Sequence, residues 1–392
     1  MLLELINLNP DLKRLQEEGY EIHIEEGYLL IKNVPYVNEH KKIMRGTLVS
    51  KLNLAGNKTV KPNTHVVFFK GEYPCNKEGA PIMPIRYGMS SQTLTANLQV
   101  NYSFSNKPAN GYKDYYEIVN RYVEIISAPA ISLDITVTAK TFNIIESVDV
   151  ESPFVYEDTN SSRSEITYIS DNLKEQKIAI IGLGGTGSYI LDLVAKTPIK
   201  EIHLFDGDTL LQHNAFRAPG AAPINMLQEK PKKVDYYYDI YSKMHKKIYC
   251  HDEYVDSQNV QLLENMDFVF ICMDQGVAKK VIVDYLQAHN ILFIDTGIGI
   301  NIIDNQLFGS VRVTTSTVAK QDHVEKRVSF DNIDDDVYAT NIQIADLNAL
   351  NAILAVIKWK KLFGIYQDLE KEHNSIYSIN VHSLVNDEQC IA

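Results

Sequence analysis

Cysteine is scarce in this chain and stands apart wherever it occurs. The 392 residues contain four, Cys75, Cys250, Cys272 and Cys390. They are too scattered for a disulfide framework or for the C-x-x-C pairs of a structural zinc site, so no zinc is expected. No apolar run reaches the ~18 residues that a membrane span needs. The opening MLLELINLNPDLKRL lacks the basic start and small-residue cleavage site of a secretory signal. Positive charge is also in deficit, with 38 Lys and Arg against 50 Asp and Glu and a net charge of -12. That balance argues against a general nucleic-acid binder, which needs clustered cations to neutralise phosphates. The expectation is a cytoplasmic protein with neither nucleic acid nor membrane as a partner.

What remains is an ordinary globular composition, 45% hydrophobic and 22% charged, on a chain long enough for two domains. Residues 1–150 read as a smaller α+β domain. Asp11–Glu18 is a short helix candidate. Glu21–Ile24 and Tyr28–Lys32 flank Glu25-Glu26-Gly27 as a hairpin. Thr64–Phe69 reads as a strand, and Asp114–Ser127 spaces its apolar residues along one helix face. Residues 151–172 are polar and read as a linker. From residue 173 onward, short apolar runs (Lys177–Ile181, Ile202–Phe205, Phe268–Cys272, Ile291–Asp295) alternate with helical stretches. That texture predicts an α/β domain with a mostly parallel sheet and helices on both faces. Leu307–Val313 reads as a further strand and Asn341–Phe363 as a long apolar helix.

The most informative stretch is Lys177–Arg217. Gly182-Leu183-Gly184-Gly185-Thr186-Gly187 follows a strand directly and satisfies G-x-G-x-x-G. In such a turn the first glycine permits the bend, the second lets backbone approach phosphate, and the third lets the helix pack on the sheet. The next strand ends at Asp206, at the distance of a ribose-binding acid. The plainer reading, glycines kept only for close packing, stands beside it. A dehydrogenase needs no more than this, yet Asp208, Asn214 and Arg217 follow. Asp208 and Asn214 can shape a site around ribose and phosphate, and Arg217 offers a planar fork to a phosphate. Lys232, with Lys230 and Lys233 as competitors, adds a cation at the start of the next helix. Asp274 follows the strand Phe268–Cys272 at the carboxyl edge where such sheets bind ligands, and a carboxylate there can hold Mg²⁺ against a triphosphate.

Taken together, GLGGTGS, Asp206-x-Asp208, Asn214, Arg217, the Pro-Lys of Lys232 and Asp274 resemble the ThiF/MoeB/ubiquitin-activating (E1-like) family over about Ser161 to Phe363. The resemblance implies a Rossmann-like fold that adenylates the C-terminal glycine carboxylate of a ubiquitin-like protein or peptide, with ATP and Mg²⁺ as cofactors. It implies that Asp206 holds ribose, that Arg217 and Lys232 hold phosphates, and that Asp274 holds Mg²⁺. The family's arginine before the first strand, which reaches the partner protomer's site, matches Arg163, so a homodimer is expected. The first domain resembles an uncharacterised domain that precedes some bacterial ThiF-type proteins in operons with ubiquitin-like proteins. That implies recruitment of a ubiquitin-like protein or a conjugating-enzyme-like protein, in a pathway tied to phage defence.

Family members often carry a thioester-forming cysteine in the crossover, but Leu307–Asn341 contains none. Three routes then stand open: the adenylate passes directly to a partner; Ser316 or Thr317 accepts the acyl group with His323 as base; or a cysteine elsewhere serves. A non-catalytic nucleotide-binding scaffold and an NAD-dependent oxidoreductase are the competing functional readings.

Overall fold

The computed structural model describes residues 2–145, 147, 151–330 and 342–389. It divides into two compact units. Met1–Ile145 with Ser162–Glu165 forms one, and Glu146–Ser161 with Ile166–Ala392 forms the other.

In the first unit the hairpin predicted around Gly27 is present as β1 (Glu21–Glu25) and β2 (Tyr28–Val37). These join β3 (Ile43–Lys51), β4 (Val66–Lys70), β5 (Arg86–Gly88) and β6 (Tyr102–Ser105) in a six-stranded sheet of order β1-β2-β3-β4-β6-β5. Helix α1 (Pro10–Glu17) and helix α2 (Tyr115–Leu133) close the apolar core against it. The second helix starts where Asp114 accepts the Glu117 N–H at 2.8 Å, a side-chain cap for an otherwise orphaned donor.

The second unit is built on an eight-stranded sheet. Its strands are β7 (Lys177–Ile181), β8 (Glu201–Phe205), β9 (Ile248–His251), β10 (Phe268–Ile271), β11 (Leu292–Ile303), β12 (Gln306–Ser316), β13 (Asn374–Ser378) and β14 (Ser383–Asp387). They lie in the order β9-β8-β7-β10-β11-β12-β13-β14. The first five pair in parallel and the last three run antiparallel. The continuous apolar runs are explained by burial on two sides. Ile178, Ile180, Leu204 and Phe270 pack with helices α3 (Gly185–Val194) and α6 (Ala345–Leu362) on one face. Ala179, Ile181, Val269 and Ile271 pack with α5 (Gly276–Ala288) on the other. Between β8 and β9 runs α4 (Lys233–Tyr241).

Several element boundaries differ from the sequence expectation: β2 runs on to Val37, α2 runs on to Leu133, β12 spans Gln306–Ser316 and α6 begins at Ala345. The strand expected to stop at Asp295 continues to Ile303, because Thr296–Ile303 pairs residue by residue with β12 down to the turn at Asp304-Asn305. Residues 151–172 hold the short helices Thr159–Arg163 and Thr167–Ser170. Asn341 and the crossover from Asp331, like Cys390, lie outside the described residues.

Candidate active site

The carboxyl ends of β7, β8, β10 and β11 surround a cavity of about 570 Å³, within the size range of nucleotide and cofactor sites. Its floor is the glycine turn, and the four glycines do different jobs there. Gly182 has φ +90°, and a Cβ there would sit 2.6 Å from the Cys272 carbonyl oxygen. A Cβ on Gly187 would fall 1.8 Å from the Gly182 carbonyl oxygen, and one on Gly185 would fall 2.0 Å from Asn348 Nδ2. These three glycines are demanded by packing. Gly184 is not: its φ is -71° and a Cβ would meet nothing within 4 Å. Gly184 faces open cavity at the start of α3, where free N–H groups and the positive end of the helix favour an anion.

Asp206 is buried at the end of β8 and locks the turn. Its Oδ2 accepts the Leu183 N–H at 2.6 Å, and its Oδ1 accepts the Asp208 N–H at 2.8 Å. Asp208 in turn receives the Lys233 ammonium at 2.6 Å and the Tyr254 hydroxyl. Burial alone would raise the Asp208 carboxyl, but hydrogen bonds from Lys233 and Tyr254, with the lysine charges, hold it below its ordinary value. The same bond to Asp208, helped by burial, pushes the Tyr254 hydroxyl up to about 12.

Three expected residues take other places. Lys232 turns outward to the Gly207 carbonyl (2.8 Å) and to Asp252 (3.0 Å), and the lysine lining the cavity is its neighbour Lys233, which is buried. Lys232 is the extended residue that precedes α4 and Lys233 is its first residue, so the two side chains leave the backbone in different directions. Asn214 is buried beside the cavity, with Oδ1 accepting the Leu211 N–H at 2.8 Å as an internal cap of a short helix. Arg163 is exposed, 3.7 Å from Glu17 in the first unit, and does not line the cavity.

Arg217 and Asp274 do line it. The Arg217 Nε is buried and has no hydrogen-bond partner among the described residues, a donor awaiting an acceptor. Burial raises the Asp274 carboxyl above its ordinary value. Asp295 adds to this, while Lys279 and Arg217 oppose it. An acid desolvated in this way is well suited to a cation. Among the described residues no group of three or more His, Cys, Asp or Glu side chains forms a metal cage. Mg²⁺ ordinarily needs only one or two carboxylates beside phosphate oxygens, so Asp274 fits such a role.

Tyr254, His213, Asn348 and Asn351 also line the cavity and did not figure in the sequence reading, whereas Lys233 stood there with Lys230 as a competitor of Lys232. One signal was available: Asn348 and Asn351 are the polar residues, three apart, in the otherwise apolar stretch Leu347–Ile357 of the helix, which puts both on one face. Beneath the site, Asp295 is fully buried between the Lys279 ammonium (2.9 Å) and the Arg312 guanidinium (2.6 Å).

Among the described residues, one candidate acyl acceptor lines this cavity, and Ser316, Thr317, Cys75 and Cys250 do not. Ser316 pairs with Phe293 at the amino end of β11, across the sheet from the cavity. His323 bonds the Thr315 carbonyl at 2.9 Å, and Thr317 faces His373 instead at 3.0 Å. Cys272 does line the cavity, but burial pushes its thiol up to about 12. Burial raises the Cys250 thiol to about 11 and the Cys75 thiol above its ordinary value. A reactive thiol needs the opposite shift.

Comparison with known proteins places the chain. A family model described as "ThiF family" matches residues 164–378, more than half of the chain. A model described as a domain of unknown function (DUF6791) matches residues 10–159. A search of curated proteins finds no match. Among solved structures, PaaA is 20% identical over 57% of this chain and 76% of its own, with TM-score 0.46. MccB of E. coli, crystallised with ATP, is 15% identical over 60% of this chain and 73% of its own, with TM-score 0.46. The E. coli tRNA N6-threonylcarbamoyladenosine dehydratase TcdA is 18% identical over 52% of this chain and 92% of its own, with TM-score 0.39. The glycine turn, the acid closing β8 and the extent of the family match agree: this protein belongs to the ThiF family.

Proposed function

We propose that this protein binds ATP in the cavity above the glycine turn and adenylates a carboxylate, that of the C-terminal glycine of a ubiquitin-like protein. The observation that carries the reading is the pairing of an open glycine, Gly184, at a helix N-terminus with the unpartnered buried Nε of Arg217 in one cavity. Both are donors waiting for an anion, and a polyphosphate supplies it. Membership of the ThiF family supports nucleotide-dependent adenylation.

In this reading Asp206, with Asp208 and Asn214 keeping the surrounding loop in shape, binds ribose. The turn Gly182, Gly184, Gly185 and Gly187 cradles phosphate. Arg217 and Lys233 neutralise the charge that builds during transfer. Asp274 would hold Mg²⁺, which neutralises polyphosphate charge when bound. A carboxylate oxygen of the substrate attacks the α-phosphorus, the bond from that phosphorus to the bridging oxygen breaks, and pyrophosphate leaves with its electron pair. The products are an acyl-adenylate and pyrophosphate. The protein contributes chiefly positioning and charge stabilisation.

Lys232, Arg163, a homodimer, a conjugating-enzyme-like partner and a role in phage defence belong to the same proposal. Arg163 would serve the cavity of a second copy. The test is ATP–pyrophosphate exchange with Mg²⁺ and purified ubiquitin-like proteins ending in glycine, for wild type and Asp274→Ala. Exchange that requires the glycine terminus and is lost in the variant supports the reading. ATP binding without exchange, whatever carboxylate is offered, overturns it in favour of a nucleotide-binding scaffold.

A further inference from the structure

Helix α5 carries a charged pair where a helix start ordinarily carries an apolar one. Its N-cap is Gln275, so Asp274 stands at N′ and Lys279 at N4, the two positions that fold onto each other across a helix start. Asp274 lines the cavity, whereas Lys279 is buried and is not among the lining residues. The Lys279 ammonium reaches Asp295, which is fully buried on β11.

Asp295 has one firm partner and one loose one. Its Oδ2 accepts a hydrogen bond from the Arg312 guanidinium at 2.6 Å. Its Oδ1 lies 2.9 Å from the Lys279 ammonium but off the line of a hydrogen bond, and that oxygen has no hydrogen-bond partner among the described residues. Charge holds the ammonium there, and hydrogen-bond geometry does not fix it. Burial is the largest influence on the Asp274 carboxyl, and among the charges around it Lys279 draws it down while Asp295 pushes it up. Arg217 also draws it down, but Arg217 lines the cavity and is the cation offered to phosphate. One buried ammonium thus serves two acids, Asp295 and Asp274.

The balance of charge decides what this arrangement does. Two carboxylates, Asp274 and Asp295, are matched by two cations, Lys279 and Arg312. A divalent cation arriving alone would add two uncompensated positive charges to a desolvated group, which is costly. The same cation arriving with a polyphosphate brings its own negative charge. We infer that Lys279 is a resident counter-ion of Asp274 until metal arrives with nucleotide, and that Asp295 Oδ1 is the acceptor to which its ammonium then withdraws. This rests on the reading of Asp274 as the Mg²⁺ acid and adds what regulates that acid: the site takes the metal–nucleotide complex and refuses the free ion. Lys279 acts through Asp274 and is a positioning residue.

The test titrates Mn²⁺, whose free form is counted by paramagnetic resonance, into the full chain without nucleotide. Lys279→Met leaves a net buried negative charge and is expected to bind Mn²⁺ about tenfold or more tighter than wild type. Lys279→Arg keeps the charge and is expected to match wild type. Lys279→Met combined with Asp295→Asn removes one charge of each sign and is expected to return to the wild-type affinity. Asp274→Asn added to Lys279→Met is expected to abolish the gain. Damage to the fold weakens binding, so a gain that charge balance cancels marks the counter-ion role and not a structural one. Should circular dichroism show Lys279→Met unfolded, Lys279→Gln carries the same expectation. Equal or weaker Mn²⁺ binding in the folded variant, or a gain that survives Asp274→Asn, overturns the inference. Titration of wild type and Asp274→Asn with Mn²⁺ and ATP together tests the reading beneath it. Equal affinity of those two proteins removes Asp274 as the metal acid. Affinity lost in Asp274→Asn, with no gain in Lys279→Met, keeps that reading and removes only the role of Lys279.

Discussion

At the scale of single residues, the glycine turn separates packing from binding. Adding a methyl group at Gly187 forces it into the Gly182 carbonyl, so Gly187→Ala is expected to destabilise the protein by about 1–3 kcal/mol. Adding one at Gly184 meets only open cavity, so Gly184→Ala is expected to keep stability within about 0.5 kcal/mol while weakening ATP binding. Urea unfolding and ATP titration on the two variants check both statements. A loss of stability in Gly184→Ala would show that the cavity is not what holds that position small. The two lysines divide in the same way. Lys233 is buried against Asp206 and Asp208, and Lys233→Ala leaves those carboxylates without their cation, an expected cost of about 3 kcal/mol or more together with loss of ATP binding. Lys232→Ala removes a half-exposed pair with Asp252 and is expected to cost less than about 1 kcal/mol.

At the scale of elements, the turn from α4 into β9 carries a buried histidine. His245 is fully buried, its Nε2 meets the Ile199 carbonyl at 3.0 Å, and its Nδ1 accepts the Lys247 N–H. Both ring nitrogens are committed in the neutral form, and burial pushes the group down to about 4. The folded value lies below the unfolded one, so between about pH 6.5 and 4 the unfolded chain binds the extra proton. The stabilisation is therefore whole above pH 6.5 and is lost as the pH falls towards 4. The shift corresponds to about 3 kcal/mol. Thermal unfolding across pH 4–7 should show this loss, and His245→Gln should flatten it. A profile identical in the two proteins would count against the assignment. Beneath the cavity, Asp295 joins α5 to β11 and β12 through Lys279 and Arg312. Asp295→Ala strands two cations and is expected to cost about 3–5 kcal/mol, measurable by denaturant unfolding. Replacing only the exposed partner of a surface pair such as Lys280–Asp284 should move stability far less.

At the scale of the whole molecule, the proposal makes a quantitative demand on assembly. If Arg163 serves the cavity of a second copy, Arg163→Ala and Asp274→Ala proteins will each be inactive alone. Mixed, they form some dimers with one intact site, and exchange activity is expected to recover to about a quarter of wild type, since random pairing makes half of the dimers mixed and each has one working site of two. Light scattering that finds only monomer in a fully active sample would remove both the dimer and the role of Arg163.

The parallel sheet was legible because strands buried on both faces must be apolar throughout, as Lys177–Ile181 and Phe268–Ile271 nearly are. The glycine turn and Asp206 were legible because their chemistry is local and tied to spacing, and so was the hairpin around Gly27. Other features depend on residues far apart in sequence and had no local signature. Lys233 rather than Lys232 faces inward because of where the helix start meets Asp206 and Asp208, 25 and more residues earlier. The length of β11 was set by pairing with β12, not by its own composition, which turns glycine-rich after Asp295. Asn351 became a cavity residue only when α6 packed across the sheet onto Gly297. The sequence by itself determined the alternation of strand and helix and the position of the glycine turn, because backbone periodicity and steric freedom act within a few residues. Tertiary structure alone decided which polar groups were left buried with a bond to make, because that depends on what every other part of the domain has already satisfied.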